Sequence, residues 1–303
     1  MKPPAAFSAL PPATRGVILM FLCAMGYAFT FMTVRQLSAT YSVYELVLFR
    51  TAIGTAVQLP WLFRVGIGTL RTPRWKLYGL RAFLVYSGNL SWFYALSQMP
   101  LADATALSFL SPLISALVLA VWLREKLHGS RIVAFVLGLA GAMVIIRPGF
   151  AEVGIATVAM IYTACAYGAA TAFTRGLTLT EDPNAVVFYM FAINFPIALG
   201  PGLWHWTTPV LGDAGWIAAF ALLSFLSQVF MTKSLALAEA AVVMPSFYLQ
   251  LPLVALIGFV VFGQIPEIWL VPGGLLIVGG SYYSVWSESR RRRAAMRADK
   301  AQA

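Results

Sequence analysis

The sequence predicts an all-α polytopic membrane protein, with ten transmembrane helices arranged as two inverted five-helix repeats around a central cavity. Three observations support this fold class: an apolar composition, ten apolar stretches of spanning length, and a weak internal repeat. Of the 303 residues, 60% are hydrophobic and 11% are charged, and the mean hydropathy is +0.80. Soluble domains carry about 25% charged residues. A water-facing surface needs more charge than this chain has, whereas a lipid-facing surface does not.

Ten apolar stretches follow one another along the chain, with turn or charge signals between most of them. A helix needs roughly 20 apolar residues to cross a bilayer, and each stretch is close to that length. The stretches are continuous and do not alternate polar with apolar residues, as strands of a membrane barrel would. The predicted spans are 16–35, 43–63, 77–98, 103–123, 130–147, 154–174, 184–203, 214–236, 240–263 and 266–286.

Positive charge is unevenly distributed over the predicted loops. With the N-terminus in the cytoplasm, 17 of the 21 lysines and arginines lie on the cytoplasmic side, and only Arg35 and Arg147 lie outside. Loops rich in Lys and Arg stay in the cytoplasm. We therefore expect a multi-pass protein of the bacterial inner membrane with both termini in the cytoplasm. The basic tail 289–303 is then an anchor at anionic lipid headgroups, and the net charge of +10 needs no nucleic-acid partner.

The two halves of the chain repeat each other weakly at an offset of 140 residues. This offset predicts a first five-helix repeat over residues 1–150 and a second over residues 151–288. Because five is odd, the second repeat lies upside down relative to the first, and transporters built this way bind substrate near the midplane between the halves. The matching residues are 24–27 with 164–167, Arg35 with Arg175, and Pro112 with Pro252.

Three runs of residues resemble a known family. The first run begins at Arg81 and includes residues 92–96, residues 99–107, Ser111 and Pro112. The second consists of residues 123–127, Gly138, Gly141 and residues 146–149. The third consists of Pro245, Tyr248, Pro252 and residues 262–264. On these runs the chain resembles the EamA-type ten-helix branch of the drug/metabolite transporter superfamily. It departs from the family at Gln264, where the second repeat usually has the Glu seen at Glu125.

The resemblance implies a membrane transporter that moves small metabolites by alternating access and is not an enzyme. Within the family, the first expectation is an exporter of aromatic or other neutral amino acids, of the YddG type. The alternative is an importer of S-adenosylmethionine or riboflavin. A membrane-embedded enzyme or a passive channel is the alternative of another class. The chain lacks the zinc-protease, nucleophile-elbow and phosphate-loop motifs. We expect the protein to bind no cofactor and no metal. Its expected partners are a small-molecule substrate and the lipid bilayer, and its expected oligomeric state is a monomer or weak dimer.

Candidate substrate-binding residues share helix faces near the middle of the spans. Aromatic faces with a few amide and hydroxyl donors suit a planar or zwitterionic ligand. Helix packing is the alternative for each residue, because small polar side chains also hold membrane helices together. The candidates are Tyr27, Arg50, Tyr78, Tyr86, Asn89, Trp92, Ser108, Tyr162, Tyr167, Gln228 and Tyr248.

Two further features concern charge and gating. Arg50 lies about 10 Å into the second span at 1.5 Å per residue. It can neutralise a substrate carboxylate, pair with Glu45, or extend to the interface, and Arg81 is expected to extend to the cytoplasmic surface. Pro112 and Pro252 interrupt the helical hydrogen bonds of the fourth and ninth spans. Because they recur in both repeats, they are predicted to be paired gating kinks, with static kinking as the alternative.

Overall fold

The computed structural model describes residues 10–66, 72–122, 129–147, 154–178, 181, 183–238 and 240–302. Residues 123–127, Pro148 and Gly149 of the family motifs, and the predicted boundary at residues 150 and 151, lie outside these ranges. The described residues form α-helices, one 3-10 turn over Leu211–Asp213, and no strand. The helices are α1 Pro12–Leu37, α2 Val43–Val65, α3 Trp75–Gln98, α4 Leu101–Ser108, α5 Leu110–Trp122, α6 Gly129–Ile146, α7 Ile155–Thr178, α8 Pro183–Trp204, α9 Ala214–Leu237, α10 Ala240–Tyr248, α11 Gln250–Phe262 and α12 Leu270–Gln302.

These helices make the chain a polytopic membrane protein. In the described part of the chain, seven segments are long and apolar enough to cross a bilayer, and Ile132–Ile146 is a shorter apolar helix. The 24-residue helix α3 has the length of a span but carries more polar residues. The seven segments are Pro12–Leu37, Val43–Arg64, Leu101–Leu119, Ile155–Thr174, Ala185–Trp204, Leu211–Leu237 and Val242–Phe262.

The fourth and ninth predicted spans are each interrupted close to the proline at which a kink was predicted. The first is broken at Phe109 (φ −68°, ψ −2°) and the second at Leu249 (φ −61°, ψ −13°). Each break lies three residues before a proline, Pro112 or Pro252. Proline has no backbone N–H, so it leaves the carbonyl four residues earlier without its helical donor. The two breaks therefore have the same local cause, 140 residues apart.

Helix packing joins the first half of the chain to the second. The helix α1 packs on α9 and α10, α7 packs on α3 and α5, α2 packs on α8, and α6 packs on α12. Glycine permits the closest of these approaches. A Cβ atom at Gly141 would lie 2.5 Å from the Gly273 carbonyl oxygen, and one at Gly273 would lie 2.8 Å from the Gly141 oxygen. Small residues allow membrane helices to approach backbone to backbone in this way.

Candidate functional site

A buried polar cluster lies where α2, α3, α7 and α9 meet. The Arg50 side chain donates from Nε to Ser224 Oγ at 2.7 Å and from Nη1 to Asn89 Oδ1 at 2.6 Å. The Tyr167 hydroxyl donates to the same Asn89 oxygen at 2.7 Å. We call Arg50, Asn89, Tyr167 and Ser224 the Arg50 cluster. Asn89 is its central acceptor and joins α2 to α7 through α3.

Local sequence explains how two of these side chains reach the cluster. A capping box starts α2, in which Ser42 and Glu45 bond each other's backbone N–H groups. This box fixes the first turn of α2 and hence the face on which Arg50 lies. Next to Asn89, Gly88 leaves room for the Tyr167 ring, because a Cβ atom there would lie 2.8 Å from Tyr167 Cε1.

The charge of Arg50 is not paired with a carboxylate in the part of the chain that the structure describes. Arg50 is only 8% exposed, and no Asp or Glu among the described residues forms an ion pair with it. Glu45 instead accepts hydrogen bonds from the backbone N–H groups of Ser42 and Thr207, at 2.8 and 2.6 Å. The expected alternatives of a Glu45 pair and of extension to the interface are therefore wrong. The Phe191 ring, 5.7 Å from the guanidinium carbon, supplies a partial cation–π contact.

Aromatic rings from α1, α3 and α10 pack together, and one of them, Trp92, lies one helical turn after Asn89 of the cluster. The Tyr27 hydroxyl donates to Gln228 Oε1 at 3.0 Å, which joins α1 to α9. The Tyr27 ring stacks on Phe31 with centroids 6.1 Å apart, and Phe31 meets Trp92 edge-on at 4.8 Å. The Phe247 and Tyr27 rings meet edge-to-face, with centroids 6.5 Å apart. We call the rings of Tyr27, Phe31, Trp92 and Phe247 the aromatic wall.

Two polar atoms in the middle of α3 are buried without a hydrogen-bond partner in the described part of the protein. They are Asn89 Nδ2 and the hydroxyl of Tyr86, one turn earlier on α3. Arg50 uses two of the five N–H donors that a guanidinium carries. Buried polar groups are nearly always paired, and leaving one unpaired costs about 1–3 kcal/mol. The site therefore has spare donors that a ligand can satisfy.

From the predicted set, hydrogen bonds join Arg50, Asn89 and Tyr167, and a hydrogen bond and ring contacts join Gln228 and Trp92 to Tyr27, while Tyr86 lies one turn before Asn89 on α3. The structure places the other predicted residues elsewhere. Tyr78 packs at the start of α3, against Tyr189 at 4.5 Å. Tyr162 is 41% exposed on the outer face of α7 and donates to Ser87 Oγ at 2.8 Å. Ser108 donates to the Thr105 carbonyl oxygen at 2.6 Å, and Tyr248 packs edge-on against Phe109 at 5.2 Å.

Sequence reasoning did not single out Phe31, Phe191 and Phe247. Phe31 lies one helical turn after Tyr27, so helical spacing alone is a signal for it. No such signal marks Phe191, since its contact with Arg50 joins α8 to α2. The prediction that Arg81 extends to the cytoplasmic surface is wrong. Its side chain is 5% exposed and donates from Nε to Thr174 Oγ1 at 2.6 Å.

Hydrogen bonds close the bundle at both ends of α2. Near its start, the Tyr41 hydroxyl donates to Asp213 Oδ2 at 2.8 Å and accepts from the Val210 N–H at 3.2 Å. Beyond its other end, the Thr72 hydroxyl donates to Glu181 Oε1 at 2.7 Å. Burial, and then the bond to Asp213, raise the pKa of Tyr41 above its usual value. The phenol is therefore protonated and able to donate at neutral pH.

A comparison with models of known protein families shows which family the chain belongs to. The model of the EamA-like transporter family matches residues 14–147 and, separately, residues 154–286. The chain belongs to the EamA-like transporter family. Like this family, it is a membrane transporter of the drug/metabolite type. Its described residues contain no group of three or more His, Cys, Asp or Glu side chains that could hold a metal ion.

Individual relatives in the EamA-like family are named as transporters. A riboflavin transporter of Brucella anthropi is 30% identical over 249 residues, covering 80% of this chain and 88% of that protein. An S-adenosylmethionine uptake transporter of Rickettsia felis is 25% identical, with coverages of 82% and 84%. A pseudopaline exporter of Pseudomonas aeruginosa is 27% identical, with coverages of 87% and 93%. One crystal structure, at 18% identity, covers 91% of this chain with a TM-score of 0.63 and shares the fold.

Proposed function

We propose that this transporter takes up a small metabolite that contains a planar nitrogen heterocycle, as riboflavin and S-adenosylmethionine do. The observation that carries the proposal is that the Arg50 cluster and the aromatic wall lie on shared helices. Trp92 follows Asn89 by three residues on α3, and Gln228, which bonds Tyr27, follows Ser224 by four residues on α9. Aromatic rings stack on a planar heterocycle, and a few fixed polar groups orient it. The wall supplies the rings of Tyr27, Phe31 and Trp92, and the cluster supplies amide, hydroxyl and guanidinium groups.

The relatives favour this substrate class over amino-acid export, which the family resemblance ranks first. The riboflavin transporter and the S-adenosylmethionine uptake transporter both align with most of the chain. The relatives described above include no amino-acid exporter. The pseudopaline exporter keeps outward transport as a second candidate.

Alternating access between two inverted halves is the proposed mechanism. Helix packing supports it, because exchanging the halves at the 140-residue offset converts the α1–α9 contact into the α7–α3 contact. The same exchange maps the α2–α8 and α6–α12 contacts onto themselves. Two halves with equivalent contacts can adopt each other's arrangement, which exposes one central site to either side in turn. The halves are residues 1–150 and 151–288, as the repeat predicts.

The proposed orientation places both termini in the cytoplasm of a bacterial cell, with the protein in the inner membrane. The charge distribution supports it, since 17 of the 21 lysines and arginines then lie on the cytoplasmic side. The Tyr41–Asp213 bond would close the outer end of the bundle, and the Thr72–Glu181 bond the cytoplasmic end. A monomer or weak dimer carries out this cycle.

Uptake by reconstituted vesicles tests the function. Purified protein in liposomes is offered labelled riboflavin, S-adenosylmethionine, tyrosine or phenylalanine, with protein-free liposomes as background. We expect saturable uptake of at least one heterocyclic metabolite. Two variants on α7 that lose the same atom give the matched control: Tyr167→Phe removes a hydroxyl from the cluster, and Tyr162→Phe removes one from the outer face. The first should reduce uptake several-fold and the second should not. Transport of the amino acids alone would refute the proposal.

A further inference from the structure

Arg50 is a buried cation surrounded by neutral groups. Each helix packed around it contributes an uncharged partner: Ser224 from α9, Asn89 from α3 and the Phe191 ring from α8. The nearest acidic residue on its own helix by sequence, Glu45, is bound to the backbone of Ser42 and Thr207. A buried charge is costly unless it is paired. Hydrogen bonds to Ser224 and Asn89 orient the guanidinium but leave its charge uncompensated.

The hydrogen-bond network also fixes which atoms around Arg50 are free to bind. Arginine has donors only, so the Asn89 atom that faces Arg50 must be the amide oxygen. Tyr167 donates to the same oxygen, and Asn89 Nδ2 is therefore left as a donor without a partner among the described residues. The remaining guanidinium N–H groups and this amide N–H form a set of donors. Such a set matches the oxygens of a carboxylate or a phosphate.

We propose that Arg50 binds an anionic group of the transported substrate, a carboxylate or a phosphate, with Asn89 Nδ2 as a second donor. The proposal rests on the function proposed above, because it assumes that substrate reaches the Arg50 cluster. An ionisable residue buried within a membrane span is a reasonable functional-site hypothesis, because its burial is otherwise unfavourable. Arg50 differs from Arg81 in that a side chain to which it bonds, Asn89, has a donor, Nδ2, without a partner in the described part of the chain. Among the described residues the charge of Arg50 has no counter-ion, and the anionic group of the substrate would supply one.

This inference separates the metabolites that the aromatic wall alone would accept. S-Adenosylmethionine carries a carboxylate at neutral pH, whereas riboflavin carries no anionic group and riboflavin 5′-phosphate does. The substrate is therefore a heterocyclic metabolite with a carboxylate or a phosphate, and an uncharged flavin binds more weakly. Carboxylate and phosphate make the same contacts with a guanidinium fork. Experiment must distinguish these two sources.

Binding to purified protein in lipid nanodiscs tests this without relying on transport. Two pairs of probes differ in one anionic group each: S-adenosylmethionine with its decarboxylated form, and riboflavin 5′-phosphate with riboflavin. We expect wild-type protein to bind the anionic member of at least one pair about 10- to 100-fold more tightly than its partner, as charge-assisted hydrogen bonds imply. The pair that shows the preference identifies carboxylate or phosphate. Equal affinity within both pairs, or no binding of either anionic probe, overturns the inference.

Variants assign the preference to Arg50. Arg50→Gln should remove the ratio between the paired probes, and Arg50→Lys should retain part of it because the charge remains. The control is Arg81→Gln, which removes a second buried arginine bonded to Thr174 and should leave the ratio unchanged. A ratio that persists in Arg50→Gln overturns the inference. The two proposals can fail independently. Binding that prefers the anionic probes, without uptake by vesicles, refutes only the proposed function. Uptake by vesicles without a preference for the anionic probes refutes only the role of Arg50.

Discussion

Tyr41 and Glu181 are 140 residues apart, the offset of the internal repeat, and each forms a hydrogen bond that closes one end of the helix bundle. Tyr41 donates to Asp213 where α1 leads into α2 and α8 leads into α9. Glu181 accepts from Thr72 beyond the opposite end of α2. The structure thus has one such hydrogen bond at each end of the bundle, and the proposed alternating-access cycle would break these two bonds in turn.

Removing one of these two hydrogen bonds should increase opening only at its own end of the helix bundle. In Tyr41→Phe the bond to the Asp213 carboxylate is lost at a cost of about 1–2 kcal/mol, a shift of about 5- to 30-fold in the opening equilibrium. Hydrogen–deuterium exchange should then rise in peptides covering residues 205–213 and stay constant in those covering residues 72–78. Thr72→Val is the reciprocal variant and should give the opposite pattern. Equal changes in hydrogen–deuterium exchange at both ends in both variants would show that the two hydrogen bonds do not act independently.

Supplying Arg50 with an internal counter-ion should compete with an anionic substrate. Asn89→Asp places a carboxylate where Oδ1 now accepts from Arg50 at 2.6 Å. A buried pair is favoured over a lone buried charge. The apparent Tm should rise by about 2–4 °C, corresponding to about 1 kcal/mol. Affinity for the anionic member of each probe pair should fall about tenfold, with little change for the neutral member.

The control for this substitution is Asn89→Leu, which removes the acceptor without adding charge. It should lower the apparent Tm, because Arg50 and Tyr167 both lose their partner. A fall in affinity for anionic and neutral probes alike in Asn89→Asp would indicate a general disturbance of the site. That result would contradict the proposed competition.

The α6–α12 interface should be sensitive to a single methyl group. A Cβ atom at Gly273 would lie 2.8 Å from the Gly141 carbonyl oxygen, whereas one at Gly279 would meet nothing within 4 Å. Gly273→Ala should destabilise the protein by about 1–3 kcal/mol through overpacking. Gly279→Ala on the same helix is the matched control and should be neutral. Thermal unfolding in detergent measures both, and equal Tm values would mean that the helices can separate at no cost.

The paired helix breaks should affect the rate of transport more than substrate affinity. Pro112→Ala and Pro252→Ala each restore a backbone N–H that can bond the carbonyl of Ser108 or Tyr248 and continue the helix. If bending at Phe109 and Leu249 accompanies the transport cycle, the maximal uptake rate should fall several-fold at nearly constant KM. Pro60→Ala, within α2, is the control for removing a proline from a span. Unchanged rates in both variants would favour static kinking.

The sequence by itself determined the helices, their order and their broad family. Apolar runs of spanning length leave the backbone no partner in lipid but itself, which makes each run helical. The capping box of Ser42 and Glu45 and the prolines at positions 112 and 252 were also readable, because their effects reach only a few residues along the chain. The exact positions of the helix breaks followed only from the structure.

Tertiary structure alone decided which polar side chains meet. Arg50 finds Asn89 and Ser224 at separations of 39 and 174 residues, distances at which local pattern carries no information. Tyr162 and Tyr167 were both predicted to bind substrate, yet one is exposed on α7 and bonds Ser87, whereas the other lies in the Arg50 cluster. In a soluble protein an apolar stripe would reveal the inner face. In a membrane both lipid and protein interior are apolar, so only helix packing distinguishes them.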